Sequence, residues 1–267
     1  MSKTILITGS TDGIGKLVAQ SLAKEGHKIY VHGRSPEKLE ATIEGIQQSS
    51  NNDNIKGFVA DFSDLGAVKQ MAQQILQEVP KIDVLINNAG VYNSPTLNNK
   101  LGLDMRLVVN FLAPYVLTNF LIPSFNKGAR IINLSSAAQR PVDWDVLSGK
   151  AQASERETYA QSKLALTMWT FYLAKQLKDT NVIAVNPGSL LNTKMVKEAF
   201  GNHWSPAEKG ADLLHDLAIS TDYDGVTGKY FDNDKEAFGK AHPVAYDDSR
   251  IAKLMDITTR LTNGEKP

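Results

Sequence analysis

Thr4-Ile5-Leu6-Ile7-Thr8-Gly9-Ser10-Thr11-Asp12-Gly13-Ile14-Gly15 is the stretch whose reading decides the fold. Thr4 to Thr8 is a short β-branched run that predicts a strand, and Lys16 to Lys24 reads as the helix after it. Between them, Gly9, Gly13 and Gly15 permit a tight turn and a close approach of backbone N–H groups to an anion. The dipole of the following helix adds partial positive charge at the same point. Strand, glycine turn and helix in that order predict a pyrophosphate cradle over Gly9, Ser10, Thr11, Asp12, Gly13, Ile14 and Gly15. A glycine-rich turn that binds nothing is the alternative.

Outward from that stretch, short strands alternate with longer helical patterns. Strands are predicted at Lys28 to His32, Lys56 to Ala60, Asp83 to Asn87, Arg130 to Leu134 and Asn181 to Asn186, with a last one at Gly228 to Phe231. Ser35-Pro36 reads as the cap and first turn of a helix. Long helices are expected at Leu103 to Phe125 and Glu157 to Lys178, and a final one at Asp247 to Arg260. Ser205-Pro206-Ala207-Glu208 has capping-box spacing. Ser49 to Asn54 reads as a loose surface loop. The expectation is one doubly wound (Rossmann-type) α/β domain over residues 1–267, with a mostly parallel seven-stranded sheet flanked by helices.

The second strand ends Val31-His32-Gly33-Arg34-Ser35, with no Asp or Glu between His27 and Pro36. A carboxylate there would hold the ribose 2′-hydroxyl of NAD. An arginine can instead pair bidentately with the 2′-phosphate of NADP. Arg34 and Ser35 therefore point to NADP(H), the alternative being a solvated surface arginine. Asp61, with the Phe62 backbone beside it, is either an acceptor for an adenine amino group or a helix N-cap. Asn87-Asn88-Ala89-Gly90 ends the fourth strand in small and polar residues, where ligands of such sheets bind.

Tyr159-Ala160-Gln161-Ser162-Lys163 puts a phenol and an ammonium on one helix face. A tyrosine with a reference pKa of roughly 10 is a poor acid–base catalyst near neutrality, and a nearby ammonium favours its phenolate. Of the eight tyrosines, only Tyr159 has a lysine four positions later. Ser135 and Ser136 follow the fifth strand and could hold a substrate oxygen, or be ordinary caps. Pro114 has no N–H for the Asn110 carbonyl, so Asn110 either marks a simple kink or offers an acceptor to a water that passes protons from Lys163.

Lys plus Arg is 29 and Asp plus Glu is 29, so the formal charge is zero and gives no electrostatic case for nucleic acid or an anionic membrane. The chain has no cysteine, which excludes disulfides, thiolate metal sites and a cysteine nucleophile. Its five histidines have no paired ligand spacing, and no metal is expected. The opening MSKTILITGS is too short an apolar run for a signal peptide or anchor, so a cytoplasmic protein is expected.

Together, TGSTDGIG, NNAG (Asn87 to Gly90), NLSS (Asn133 to Ser136), YAQSK and NPG (Asn186 to Gly188) resemble the short-chain dehydrogenase/reductase family over most of the chain. YAQSKLALTMWTFYLAKQL and TGKYFDNDKEA are similar to its retinol-dehydrogenase-like branch. The resemblance implies hydride transfer between NADP(H) and an alcohol or carbonyl carbon, with reduction the favoured direction. Tyr159 would be the general acid/base and Ser136 would position the substrate oxygen. Lys163 would bond the nicotinamide ribose and tune Tyr159, and Asn110 would support a proton relay. Pro187 and Gly188 would border the coenzyme. Thr193 would contact its carboxamide, although it lies one residue beyond the family's usual position.

Many relatives begin with a hydrophobic anchor that this chain does not show, so no membrane partner is expected. A homo-oligomer, dimer or tetramer, through the two long helices is a family expectation. Pro141, Val142, Trp144 and Leu147, and then Leu190, Leu191, Met195, Phe200, His203 and Trp204, could wall the site, with residues 189–204 as a lid, or could be ordinary packing. The expected substrate is a small apolar carbonyl or alcohol. A catalytically silent NADP-binding sensor or scaffold of the same fold is the competing reading, and a longer extended-branch epimerase or dehydratase is disfavoured by the glycine spacing.

Overall fold

A computed structural model describes residues 2–265. In chain order the elements are β1 (Thr4–Ile7), α1 (Gly13–Lys24), β2 (Lys28–Gly33), α2 (Pro36–Ser50), β3 (Ile55–Val59), α3 (Leu65–Glu78) and β4 (Ile82–Asn87). There follow α4 (Met105–Leu107), a π turn (Val108–Leu112), α5 (Ala113–Leu121), β5 (Phe125–Leu134), α6 (Trp144–Leu147) and α7 (Glu155–Gln176). The chain continues with β6 (Thr180–Asn186), α8 (Lys194–Phe200), α9 (Glu208–Ile219), β7 (Lys229–Asp232), β8 (Ala237–Gly239) and α10 (Asp248–Thr262).

The sheet order is β3-β2-β1-β4-β5-β6-β7-β8, parallel from β3 to β7. The order reverses between β1 and β4, and ligands of such sheets bind at that point, outside the strands' carboxyl ends. β1 shows how each strand serves two layers. Ile5 and Ile7 pack with Val18, Leu22 and Leu214 on the side of α1 and α9, and Leu6 packs with the α3, α5 and α7 layer. Both faces are buried, the pattern of a parallel sheet.

The sheet has eight strands rather than seven. β8 is three exposed residues running antiparallel to β7, too short to give a periodic signal. The expected Leu103 to Phe125 helix is interrupted. Ala113 N–H reaches back to the Val108 carbonyl, opening a π turn just before Pro114, and β5 already begins at Phe125. The Ser205 capping box does not form, because α9 starts without a side-chain cap and Ser205 instead bridges Leu191 and accepts the Asn192 N–H. A capping box does form at Ser154 and Glu157, at the start of α7. The expected loose loop is also tighter than its polarity suggests: α2 runs on to Ser50, and buried Asn52 donates to the Ala23 and His27 carbonyls.

From Gln161 to Phe171 every residue of α7 is buried within the single chain. α10 lies across it. Arg250 donates to the Val142 carbonyl and stacks on Trp144, the Tyr115 hydroxyl bonds Thr259, and Lys69 donates to the Thr262 carbonyl. Met105 to Ser124 is long and apolar enough to cross a membrane by length and composition, but 72% of its most apolar window is buried inside the protein, the mark of a core element.

Candidate active site

The glycine turn is shaped by β4 as much as by any ligand. Gly9 has φ +63, and a Cβ there would stand 2.7 Å from the Ala89 Cα; one on Gly15 would stand 2.4 Å from Asn88 Nδ2. Asn88 Nδ2 donates to the Thr8 and Gly9 carbonyls, while Thr8 Oγ1 accepts the Asn88 and Ala89 N–H groups. The NNAG segment and the turn are thus one rigid unit. His32 completes it: Nδ1 accepts the Gly9 N–H, Nε2 bonds the Ala60 carbonyl, and the ring stacks on Phe62.

Several residues expected to meet the coenzyme are committed elsewhere. Ser10 is fully buried, donating from Oγ to the Ile7 carbonyl and accepting the His32 N–H, while its own N–H goes to the His32 carbonyl. The Asn87 side chain points inward, donating to Thr118 Oγ1 and Asn133 Oδ1. Asp12 caps α1 and pairs with Lys38 at 3.1 Å. Ser35 caps α2 as expected, accepting the Lys38 N–H. Asp61 is not a helix cap, since Asp64 caps α3; its Oδ1 accepts the Ser63 N–H and the residue is exposed. Phe62 is buried against His32. Thr11 packs against Gly33, Arg34 is exposed beside it, and Ile14 and the backbone of Ala89 and Gly90 remain half-exposed along the cleft. Thr193 caps α8 and faces Gly13, its methyl 3.8 Å from where a Gly13 Cβ would stand.

The four expected catalytic residues do come together. The Ser136 side chain stands close enough to the Tyr159 hydroxyl to act on its acidity, and Lys163 Nζ lies 5.6 Å from the Tyr159 ring centre. Asn110, inside the π turn, accepts the Val91 N–H at 2.7 Å and donates to the Val91 carbonyl and Ser162 Oγ, and Ser162 in turn donates to the Tyr159 carbonyl. A Cβ on Gly90 would fall 3.3 Å from Asn110 Oδ1 and 3.6 Å from Lys163 Nζ, so any side chain there would fill the space before both groups. π turns of this kind recur at functional sites.

Burial is the largest influence on both Tyr159 and Lys163. Burial pushes the Tyr159 phenol up, Ser136's hydrogen bond opposes this, and Tyr92 adds to the rise. Burial pulls Lys163 down to about 8, and its ammonium donates to the Leu134 carbonyl at 2.7 Å instead of to the phenol.

Other site residues escaped the sequence reading. Tyr92 packs against Tyr159 with ring centres 5.0 Å apart. Its only signal is its place just after Gly90. Tyr230 and Gln139 both donate to the Ser136 carbonyl, a convergence that needs β7 beside the loop after β5. Asp234 accepts the Ser189 N–H and hydroxyl and an Asn186 amide hydrogen, and Asn233 donates to the Pro187 carbonyl, so the turn after β7 brackets Pro187 and Gly188.

The expected apolar wall does not form one surface: Val142, Leu147 and Leu191 are core, while Pro141, His203 and Trp204 are exposed. Val142 and Leu147 are buried beneath the surface and Trp144 is stacked by Arg250 and Lys253. In the second segment Leu191 is buried, Trp204 is 78% exposed, and the Phe200 side chain lies outside the described residues. The cleft beside Tyr159, about 960 Å³, is lined instead by Tyr92, Ala138, Gln139, Arg140, Ser154, Arg156, Glu157 and Ala160. Among the described residues no cluster of His, Asp and Glu has metal-ligand geometry.

A family model described as short chain dehydrogenase matches residues 3–204. Human retinol dehydrogenase 13 is 31% identical over 99% of this chain and 86% of its own length. An uncharacterised protein of Mycobacterium paratuberculosis superposes with a TM-score of 0.78 at 26% identity, covering 99% of this chain and 95% of its own. A short chain dehydrogenase of Shigella flexneri, solved in complex with NADP, superposes with a TM-score of 0.70 at 25% identity over 87% and 97%. With its sheet order, its Tyr159, Ser136 and Lys163 cluster and this match over three quarters of its length, the chain belongs to the short-chain dehydrogenase family of oxidoreductases.

Proposed function

We propose that the protein is an NADP(H)-dependent reductase that converts a small ketone or aldehyde to its alcohol. The observation that carries this reading is the meeting of Tyr159, Ser136 and Lys163 at the mouth of the Gly90 gap. The coenzyme choice is supported by Arg34, which is exposed at the end of β2 with no internal partner, and by the NADP complex of the Shigella relative. The glycine cradle, the N-terminus of α1 and the space before Lys163 fit a dinucleotide. Residues 189–204 serve as the lid, tethered where Asn93 donates to the Glu198 carbonyl.

NADPH, when bound, supplies the hydride that reaches the carbonyl carbon. Ser136 Oγ holds the carbonyl oxygen, and the Tyr159 hydroxyl gives that oxygen its proton. A phenol whose pKa is raised by burial is protonated at neutral pH and ready to act as an acid, which suits reduction. Lys163 and the Asn110 site restore the proton to Tyr159 from solvent.

The test is steady-state reduction of a panel of aldehydes, ketones and quinones with NADPH and with NADH. Tyr159→Phe should cut turnover at least about 10²-fold while leaving coenzyme binding intact. Arg34→Ala should weaken NADPH binding by about 1.5–3 kcal/mol and NADH binding far less. A wild-type protein that binds NADPH yet reduces nothing on the panel would favour the silent sensor, and equal losses for both coenzymes would remove Arg34 as the selector.

A further inference from the structure

The sequence contains seven arginines, and five of them have at least one partner within the fold. Arg106 pairs with Asp104 and Glu155, Arg130 with Asp224, Arg140 with Glu157 and Arg260 with Asp256, while Arg250 bonds the Val142 carbonyl and stacks on Trp144. Arg34 and Arg156 alone, among the described residues, have no hydrogen bond or ion pair. Arg34 stands where the 2′-phosphate is proposed to bind. Arg156 lines the cleft beside Tyr159.

The charges in that cleft do not balance. Its one carboxylate, Glu157, is already engaged by the Ser154 hydroxyl and N–H and by Arg140 at 2.8 Å. Arg140 and Arg156 against Glu157 leave a net positive charge, and the free guanidinium belongs to Arg156. Tyr159 follows Arg156 by three residues on α7, and its ring lies tilted against Tyr92, so the two rings offer an aromatic face in the same cleft. An apolar substrate would gain from the rings but would leave the guanidinium unused. A planar guanidinium presents paired N–H donors that match a carboxylate or phosphate edge.

We propose that the substrate is a carbonyl compound bearing an anionic group, which Arg156 binds about one helical turn from Tyr159. This rests on the reductase reading and narrows it from an apolar substrate to an acidic one. A carboxylate and a phosphate share the chemistry, and the probes below separate them.

The experiment compares kcat/KM for 4-carboxybenzaldehyde, 4-formylphenyl phosphate and the neutral methyl 4-formylbenzoate, with NADPH, in wild type, Arg156→Gln and Arg156→Glu. The wild type should favour at least one anionic aldehyde over the ester by about tenfold, the scale of one hydrogen bond to a charged group. Arg156→Gln should shrink that ratio toward unity, and Arg156→Glu should reverse it. A wild type that prefers the ester, or a ratio that Arg156→Gln leaves unchanged, would overturn the proposal. If no carbonyl is reduced at all, the reductase reading fails separately. Binding of benzoate and phenyl phosphate against benzamide, followed by saturation-transfer NMR in the same variants, then decides the Arg156 assignment.

Discussion

His32 shows how one side chain can set both local geometry and a pH response. It is buried, and burial lowers its pKa to about 4, against the smaller opposing pull of the Ala60 carbonyl and Asp61. The neutral ring is the one the structure uses, because Nδ1 must accept the Gly9 N–H. Between about pH 6.5 and 4 the unfolded chain therefore binds a proton that the folded chain refuses, so stability falls as pH drops through that window. The loss should approach about 3 kcal/mol by pH 4. Urea unfolding at pH 7 and pH 4.5 measures it, and His32→Gln should flatten the slope. A slope that persists unchanged in the variant would assign the effect to other groups, such as buried His27, whose pKa burial also lowers.

Among the elements, the turn between β7 and β8 does more than reverse the chain. Burial pushes the Asp234 carboxyl up, but hydrogen bonds from Ser189 and Asn186 outweigh it and hold the group below the usual range. The ionised carboxylate thus fixes the segment that borders the proposed nicotinamide site. Asp234→Ala should raise the Kd for NADPH about tenfold, the cost of losing one charged hydrogen bond. Titration of NADPH fluorescence reads this, and an unchanged Kd would show that the turn does not hold the coenzyme loop. The π turn before Pro114 makes the complementary point: proline removes one helical bond, and the slack it creates aims Asn110 at Val91.

At the scale of the molecule, α10 acts as the cover of the α5 and α7 layer. Leu254 is fully buried there with Ile251, Met255 and Leu261. Leu254→Ala should lower the unfolding free energy by about 2–5 kcal/mol, as a large-to-small core change does. A change within about 0.5 kcal/mol, the range of an exposed site, would mean that α10 does not pack as described.

The sequence by itself determined the strand–turn–helix start, the alternation of strands with helices and the pairing of Tyr159 with Lys163 on one helix face, while the family resemblance added Ser136 and Asn110. Those signals are local: a run, a glycine spacing and a four-residue helical step each constrain backbone or side chains within one element. Only the tertiary structure decided that Ser10 and Asn87 face inward, that the supposed apolar wall is split between core and exposed residues, and that Arg156 stands unpaired beside Tyr159. A side chain's partner is set by which elements are brought alongside it, and that distance in space has no counterpart in sequence spacing.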